Sequence, residues 1–316
     1  RRPMPVVELT THQPSAALVL GSGGARGLAH IGVIEALQRE GFRIAGIAGS
    51  SMGALVGGIH AAGSLSNYRD WICALQRSDV LRLLDFGFGV PGLIRGERII
   101  GVLRELVGEH AIENLPTPFT AVATDLHAQR EVWLNRGPLF DAIRASIAIP
   151  GVFTPHRLNG RDLVDGGLLA PVPIAATRQM HADVVVAVEV NAINPHRPWM
   201  QGDKVIAKPV PTPAGEGYRA RVSAFIESIT AGFAERRDTP AVPPSPGLVD
   251  LMARSLDTMQ AQLGRMQLAM DPPDIVIRVP RDSAMFYEFW RAPELIDIGR
   301  EAATEALADW RSQRSL

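Results

Sequence analysis

The 316-residue chain contains one cysteine, Cys73, which excludes an internal disulfide and gives no spacing of thiolates for a metal. A lone cysteine of this kind packs as a small apolar side chain far more often than it reacts. Excess charge is also missing. With 32 basic and 33 acidic residues there is no overall field to recruit nucleic acid or a strongly anionic surface, so any lipid partner must be held by apolar contact or a local patch. No internal repeat is present, which sets solenoid architectures aside. A continuous lipid-soluble run is lacking too. The most apolar stretch, Ile44 to Gly63, consists mainly of Gly, Ala and Ser, carries His60, and contains the turn signal Gly49-Ser50-Ser51-Met52-Gly53, which would break a lipid-facing helix. The chain starts Arg1-Arg2-Pro3-Met4, so the missing leader at this end carries no weight. A hydrophobic content of 46% then leaves a globular protein with one large core or two modest ones.

What is present has an alternating rhythm. Ala16 to Leu20 reads as a short strand, and Leu28 to Arg39 as a helix with Ile31, Ile34 and Leu37 at helical spacing, ended by Gly41. Arg43 to Ala48 is a second strand and Met52 to Ala62 a second helix. Further strands are expected at Phe119 to Ala123, Glu131 to Leu134, Asp183 to Val190 and Asp274 to Val279. Helices are expected near Tyr68 to Leu84, Leu139 to Ile147, Leu248 to Ala269 and Pro293 to Trp310. This order predicts an α/β fold of three layers, α/β/α, with a central, mostly parallel sheet. The division is an N-terminal arm over residues 1–14 and a single domain over 15–316, interrupted by a Pro/Gly-rich insert at about 195–247. That insert, with a helix from Tyr218 to Phe233, reads as a lid, a dimer arm or surface decoration. The stretch Leu81 to Ile94, with Phe86, Phe88, Val90 and Leu93 among glycines, reads as a buried loop or a second lipid contact.

The first strand, crossover helix and second strand form a βαβ unit, right-handed in nearly all proteins, so the loops that follow both strands emerge side by side. Open α/β sheets bind ligands at that edge. Both loops open a helix, and two helix N-termini bring free N–H groups and partial positive charge to one crevice. In the second loop, Gly49-Ser50-Ser51-Met52-Gly53 between strand and helix has the spacing of a nucleophile elbow, with Ser51 at its apex. Side chains at Gly49 or Gly53 would collide across so sharp a turn. The alternative is a helix start capped by Ser50 or Ser51.

The first loop, Gly21-Ser22-Gly23-Gly24-Ala25-Arg26-Gly27, permits a phosphate cradle or an oxyanion hole. A dinucleotide fingerprint would need a third glycine where Arg26 stands, and no Lys-Ser/Thr pair follows for a P-loop. An oxyanion hole needs only N–H groups aimed at developing charge, which Gly23, Gly24 and Ala25 offer. Arg26 either anchors the loop or meets an anionic head group. The base is less evident. His30 and His60 fall inside predicted helices and read as packing or surface residues. Asp165, in Leu163-Val164-Asp165-Gly166-Gly167, ends a hairpin turned by Asn159-Gly160, and it reads either as a surface turn or as a carboxylate that another backbone approaches closely.

Together, Gly-x-Gly-Gly-x-Arg-Gly after the first strand, Gly-Ser-Ser-Met-Gly after the second and Asp165-Gly166-Gly167 near the middle resemble the patatin-like phospholipase family. Ala145 to Phe153 (Ala-Ser-Ile-Ala-Ile-Pro-Gly-Val-Phe) and Ala123-Thr124-Asp125 are similar to segments of that family as well. The likeness covers about Ala16 to Val190 well and the last seventy residues more loosely. It implies a patatin-like fold and a catalytic dyad of Ser51 and Asp165 without histidine. Gly23, Gly24 and Ala25 would form the oxyanion hole, Gly21, Arg26 and Gly27 would support that loop, and Gly49 and Gly53 would shape the elbow. The implied reaction is hydrolysis of a phospholipid, lysophospholipid or other acyl ester through an acyl-enzyme, with no metal and no organic cofactor. The implied partners are the lipid substrate and a transiently contacted membrane surface, with no nucleic acid. An oligomer stays open, and the expected location is cytoplasmic or peripheral to a membrane. Four rivals remain: a Ser-His-Asp triad drawing on His156, His181 or His196, an acyltransferase with the same dyad, a lipid-binding regulatory protein without turnover, and a nucleotide-binding module.

Overall fold

The computed structural model describes residues 13–85, 94–193 and 248–314. The expected insert at 195–247, most of the N-terminal arm, His196 and most of the Leu81 to Ile94 loop lie outside them. The chain runs β1 (Ser15–Leu20), α1 (Ala29–Arg39), β2 (Arg43–Ser50), α2 (Met52–Ala61), α3 (Leu65–Ala74), α4 (Arg77–Arg82) and α5 (Glu97–Val107). It continues through β3 (Phe119–Asp125), β4 (Arg130–Leu134), α6 (Leu139–Ser146), β5 (His156–Leu158), β6 (Arg161–Asp165) and β7 (Val184–Ala192). From residue 248 onward come α7 (Leu248–Met270), β8 (Ile275–Pro280) and α8 (Ala292–Arg314).

Among the described residues, eight strands make one sheet in the order β5-β6-β3-β2-β1-β7-β8, with β4 paired to β3 off that path. The pairs among β3, β2, β1, β7 and β8 are all parallel, whereas β4, β5 and β6 join by antiparallel pairing. The sheet is thus mostly parallel, and its strands alternate between two cores. Leu18, Leu20, Ile47, Ala121, Val186 and Val188 pack with α1, α2, α5, α6 and α8 in the larger core. Val19 and Ala187 join Val172 and Ile174 in one cluster of the other core, with Leu268 of α7 packed against it, and Ala48 and Val122 join Ala170 and Ala176 in a second. Burial on both faces explains why β1, β3 and β7 read as nearly continuous apolar runs. In α1, Ile31, Ile34 and Leu37 are fully buried, each contributing about 1.5–3 kcal/mol of apolar transfer.

Two departures from the sequence reading have local causes. The single helix expected over Tyr68 to Leu84 is two, because Leu75 takes an extended backbone and Gln76 starts a new helix with a capping box to Asp79. Helix α5 is an addition to the expected elements, with Ile100, Leu103 and Val107 lining its buried face between Gly96 and Gly108. Among the described residues, no helix is long and apolar enough to cross a membrane.

Candidate active site

Strand β3 brings the site together. Ser50, the last residue of β2, pairs with Val122, and Asp165, the last of β6, pairs with Ala123, the next residue of β3. The elbow and the Asp165 hairpin therefore end beside each other, although Ser51 and Asp165 are 114 residues apart. The Ser51 hydroxyl donates to Asp165 Oδ2 at 2.6 Å. The other carboxylate oxygen accepts from the Gly167 N–H at 2.7 Å, and the Asp165 N–H donates to the Ala148 carbonyl at 3.0 Å.

Ser51 has φ 55° and ψ −122°, a backbone that side chains rarely adopt, at the N-terminus of α2. Its neighbours hold it there. The Ser51 N–H donates to Ser146 Oγ at 2.9 Å, and that hydroxyl donates to the Val122 carbonyl at 2.6 Å. Ser50 Oγ donates to the Ala170 carbonyl at 2.7 Å. A Cβ on Gly49 would lie 2.4 Å from the Gly53 carbonyl, and one on Gly53 would lie 2.0 Å from the Leu20 carbonyl oxygen. The elbow rests directly on the end of β1, where the glycine loop begins.

Burial decides the electrostatics. Asp165 is 2% exposed, and desolvation pushes its carboxyl up to about 7, against the opposing pull of the Ser51 and Gly167 hydrogen bonds. A carboxylate near 7 is well matched to accepting a hydroxyl proton at neutral pH.

The glycine loop is held from behind through its carbonyls and its first N–H groups. Gly21 and Ser22 donate to the Val188 and Pro171 carbonyls at 3.1 and 2.8 Å. The Gly21 carbonyl meets His30 Nε2 at 2.8 Å, and the Ser22 carbonyl accepts from Asn191 Nδ2 at 2.9 Å. His30 is fully buried, which pushes its imidazole down to about 4 and keeps it neutral, so the Nε2–H is the donor. Arg26 is buried as well. Its Nη2 donates to Asn191 Oδ1 at 2.7 Å and Asp257 at 3.2 Å, while Nη1 donates to the Ala284 carbonyl at 3.3 Å. Its guanidinium is engaged inside the protein and is not presented to a head group.

Of the three expected oxyanion donors, Ala25 is engaged elsewhere: its N–H donates to the Phe286 carbonyl at 2.8 Å. Phe286 lies on the segment between β8 and α8, some 260 residues away, a contact invisible in the loop's own sequence. Among the described residues, the N–H groups of Gly23 and Gly24 make no hydrogen bond. Nor does any described histidine bond to Ser51 or Asp165, and none of the described residues form a group of three or more His, Cys, Asp and Glu able to hold a metal.

Residues 18–178 match the sequence model for Patatin-like phospholipase, about half of the chain. The chain belongs to the patatin-like phospholipase family. An uncharacterized NTE family protein of Mycobacterium tuberculosis is 43% identical across 93% of this chain and 91% of that protein, and one of Mycobacterium bovis matches to the same extent. The lysophospholipase nte1 of Emericella nidulans is 27% identical over 96% of this chain, a region that is 19% of the fungal protein. In this member of the family the three motifs touch one another: the elbow packs on Leu20 and Gly21, Gly167 on Ser22, and Ser51 bonds to Asp165. His30, Ser146 and Asn191 hold the glycine loop and the elbow through the hydrogen bonds described above. Ser146 falls in the Ala145 to Phe153 segment, but nothing local gives it a role; nothing local marks Asn191, and His30, inside a helical pattern, reads locally as packing.

Proposed function

We propose that the chain is a serine acyl hydrolase that cleaves fatty acyl esters of phospholipids or lysophospholipids through a Ser51–Asp165 dyad. The observation that carries the proposal is the 2.6 Å hydrogen bond from a strained elbow hydroxyl to a buried carboxylate; the glycine loop packed on that elbow has two N–H groups without a partner among the described residues. Ser51 Oγ attacks the ester carbonyl as Asp165 takes its proton. Gly23 and Gly24 N–H groups hold the oxyanion, each such donor being worth about 2.7–4 kcal/mol in the transition state. Asp165 returns the proton to the leaving alcohol, which gives an acyl-enzyme. The same carboxylate then activates water to release the fatty acid. A transient lipid-surface contact is supported by Leu126 and Ile193, 46% and 49% exposed, which directly follow the ends of β3 and β7 on the edge that carries Ser51.

The test is incubation with lysophospholipid and diacyl phospholipid, free fatty acid being measured by mass spectrometry, alongside labelling by a fluorophosphonate. Fatty acid release and an adduct on Ser51 are expected; a folded protein that gives neither refutes the proposal. The pH profile follows from Asp165. Its ionised form is the base, so kcat/KM should fall about tenfold per pH unit below a pKa near 7 and level off above it. A profile flat from pH 5 to 8 would exclude Asp165 as the base.

A further inference from the structure

We propose that Asn191 is a positioning residue of the oxyanion hole, acting through the peptide plane that joins Ser22 to Gly23. The proposal rests on the reading of Gly23 and Gly24 as oxyanion donors. A trans peptide is planar, and its C=O and N–H point to opposite sides, so whatever grips the Ser22 carbonyl also aims the Gly23 N–H. Asn191 Nδ2 provides that grip at 2.9 Å, from the end of β7 and at 7% exposure. Among the described residues, no second donor is bonded to the Ser22 carbonyl, and the Ser22 hydroxyl, itself buried, has no hydrogen-bond partner with which to hold the loop.

The orientation of the amide is settled by its partners. A carbonyl only accepts and a guanidinium only donates, so Nδ2 must face Ser22 and Oδ1 must face Arg26, 2.7 Å away. Arg26 in turn is bonded to the Ala284 carbonyl and to Asp257. The buried guanidinium fixes Asn191, Asn191 fixes the Ser22–Gly23 peptide, and the Gly23 N–H is left directed away from this network. Gly23 is also packed against the same strand end, since a Cβ there would lie 2.3 Å from Val190 Cγ2 and 3.3 Å from Asn191 Oδ1. Asn191 never reaches the ester; it decides where the donor points.

Asn191→Asp separates this role from a structural one. The carboxylate keeps, and strengthens, the acceptor for Arg26, but it loses the donor and sets a charged oxygen against the Ser22 carbonyl. On a soluble p-nitrophenyl acyl ester, kcat is expected to fall about 100-fold, as for loss of one oxyanion donor, with KM changed less than about threefold and the melting temperature held. Affinity for an alkyl trifluoromethyl ketone, which forms a tetrahedral adduct at a reactive serine, should fall in parallel with kcat/KM. If the variant does not fold, Asn191→Ser, which is smaller and cannot span both partners, is measured the same way. Folded variants of either kind with kcat within threefold of wild type, or with the loss confined to KM, would overturn the role of Asn191. Wild-type protein that neither turns over the ester nor takes up the ketone would instead overturn the hydrolase reading beneath it.

Discussion

Asp165→Asn is expected to lower kcat/KM for acyl esters by at least about a thousandfold while leaving the protein at least as stable as wild type at pH 8. The amide preserves the local bonding. Its oxygen accepts the Gly167 N–H, and its nitrogen donates to Ser51 Oγ, replacing the contacts now at 2.7 and 2.6 Å. What it removes is a buried negative charge. The folded-state pKa, about 7, lies above the 3.8 of an unperturbed aspartate, so between these values the folded protein holds a proton that the unfolded chain has released. The contribution of Asp165 to wild-type stability is therefore greatest below about pH 4, declines as pH rises to 7, and stays at the lower level above. Three pH units correspond to about 4 kcal/mol, an upper figure for what the amide regains at pH 8. Thermal melts of both proteins at pH 5 and 8, with ester turnover at pH 8, check this. Retained turnover would refute the dyad, and a variant much less stable at pH 8 would show that the carboxylate supports the fold.

The second large effect is expected at Gly53. A Cβ there would lie 2.0 Å from the Leu20 carbonyl oxygen and 2.5 Å from its carbon, both backbone atoms of a central strand that cannot turn aside. In Gly53→Ala, helix α2 must lift off the end of β1, carrying Ser51 away from the glycine loop. A displacement of about 1 Å in a reacting geometry costs about 100-fold in rate, and overpacking costs about 1–3 kcal/mol or more of stability. Both turnover and melting temperature should fall. Gly101 gives the control. It lies inside α5 with open space, nothing within 4 Å, where a Cβ would stand, so Gly101→Ala should leave activity intact and raise stability by about 0.5–1 kcal/mol through helix propensity. Unchanged turnover in Gly53→Ala would mean that the elbow and the loop are not coupled through this contact.

The legible parts of this protein are those whose physics is local. The parallel core strands announce themselves because both faces are buried, and the elbow because a strand, a sharp turn and a helix start occupy a few consecutive residues. Helix α5 has a local signal too, in Ile100, Leu103 and Val107 between two glycines, but it stands outside the strand-and-helix alternation that organises the rest of the reading. The break between α3 and α4 is carried by one extended residue, Leu75, and a capping pair at Gln76 and Asp79, a signal easily overrun by the apolar residues on either side. Ala25 looks like a donor as long as the loop alone is in view; its acceptor, the Phe286 carbonyl, belongs to a segment near the other end of the chain.

By itself the sequence determined the α/β class, the glycine loop and Gly-x-Ser-x-Gly side by side on one sheet edge, and Asp165 as a candidate with two readings. Those follow from periodicity, glycine sterics and the handedness of a βαβ crossover, all of which act over short stretches of chain. Only the tertiary structure decided that Asp165 is a buried partner of Ser51 and not a surface turn, because that depends on β6 meeting β3 one residue beyond the point where β2 leaves it. The same holds for the hydrogen bonds of His30, Ser146 and Asn191 behind the loop and the elbow. Burial raises the carboxyl and long-range hydrogen bonds aim the backbone, and neither quantity exists until distant segments are packed together.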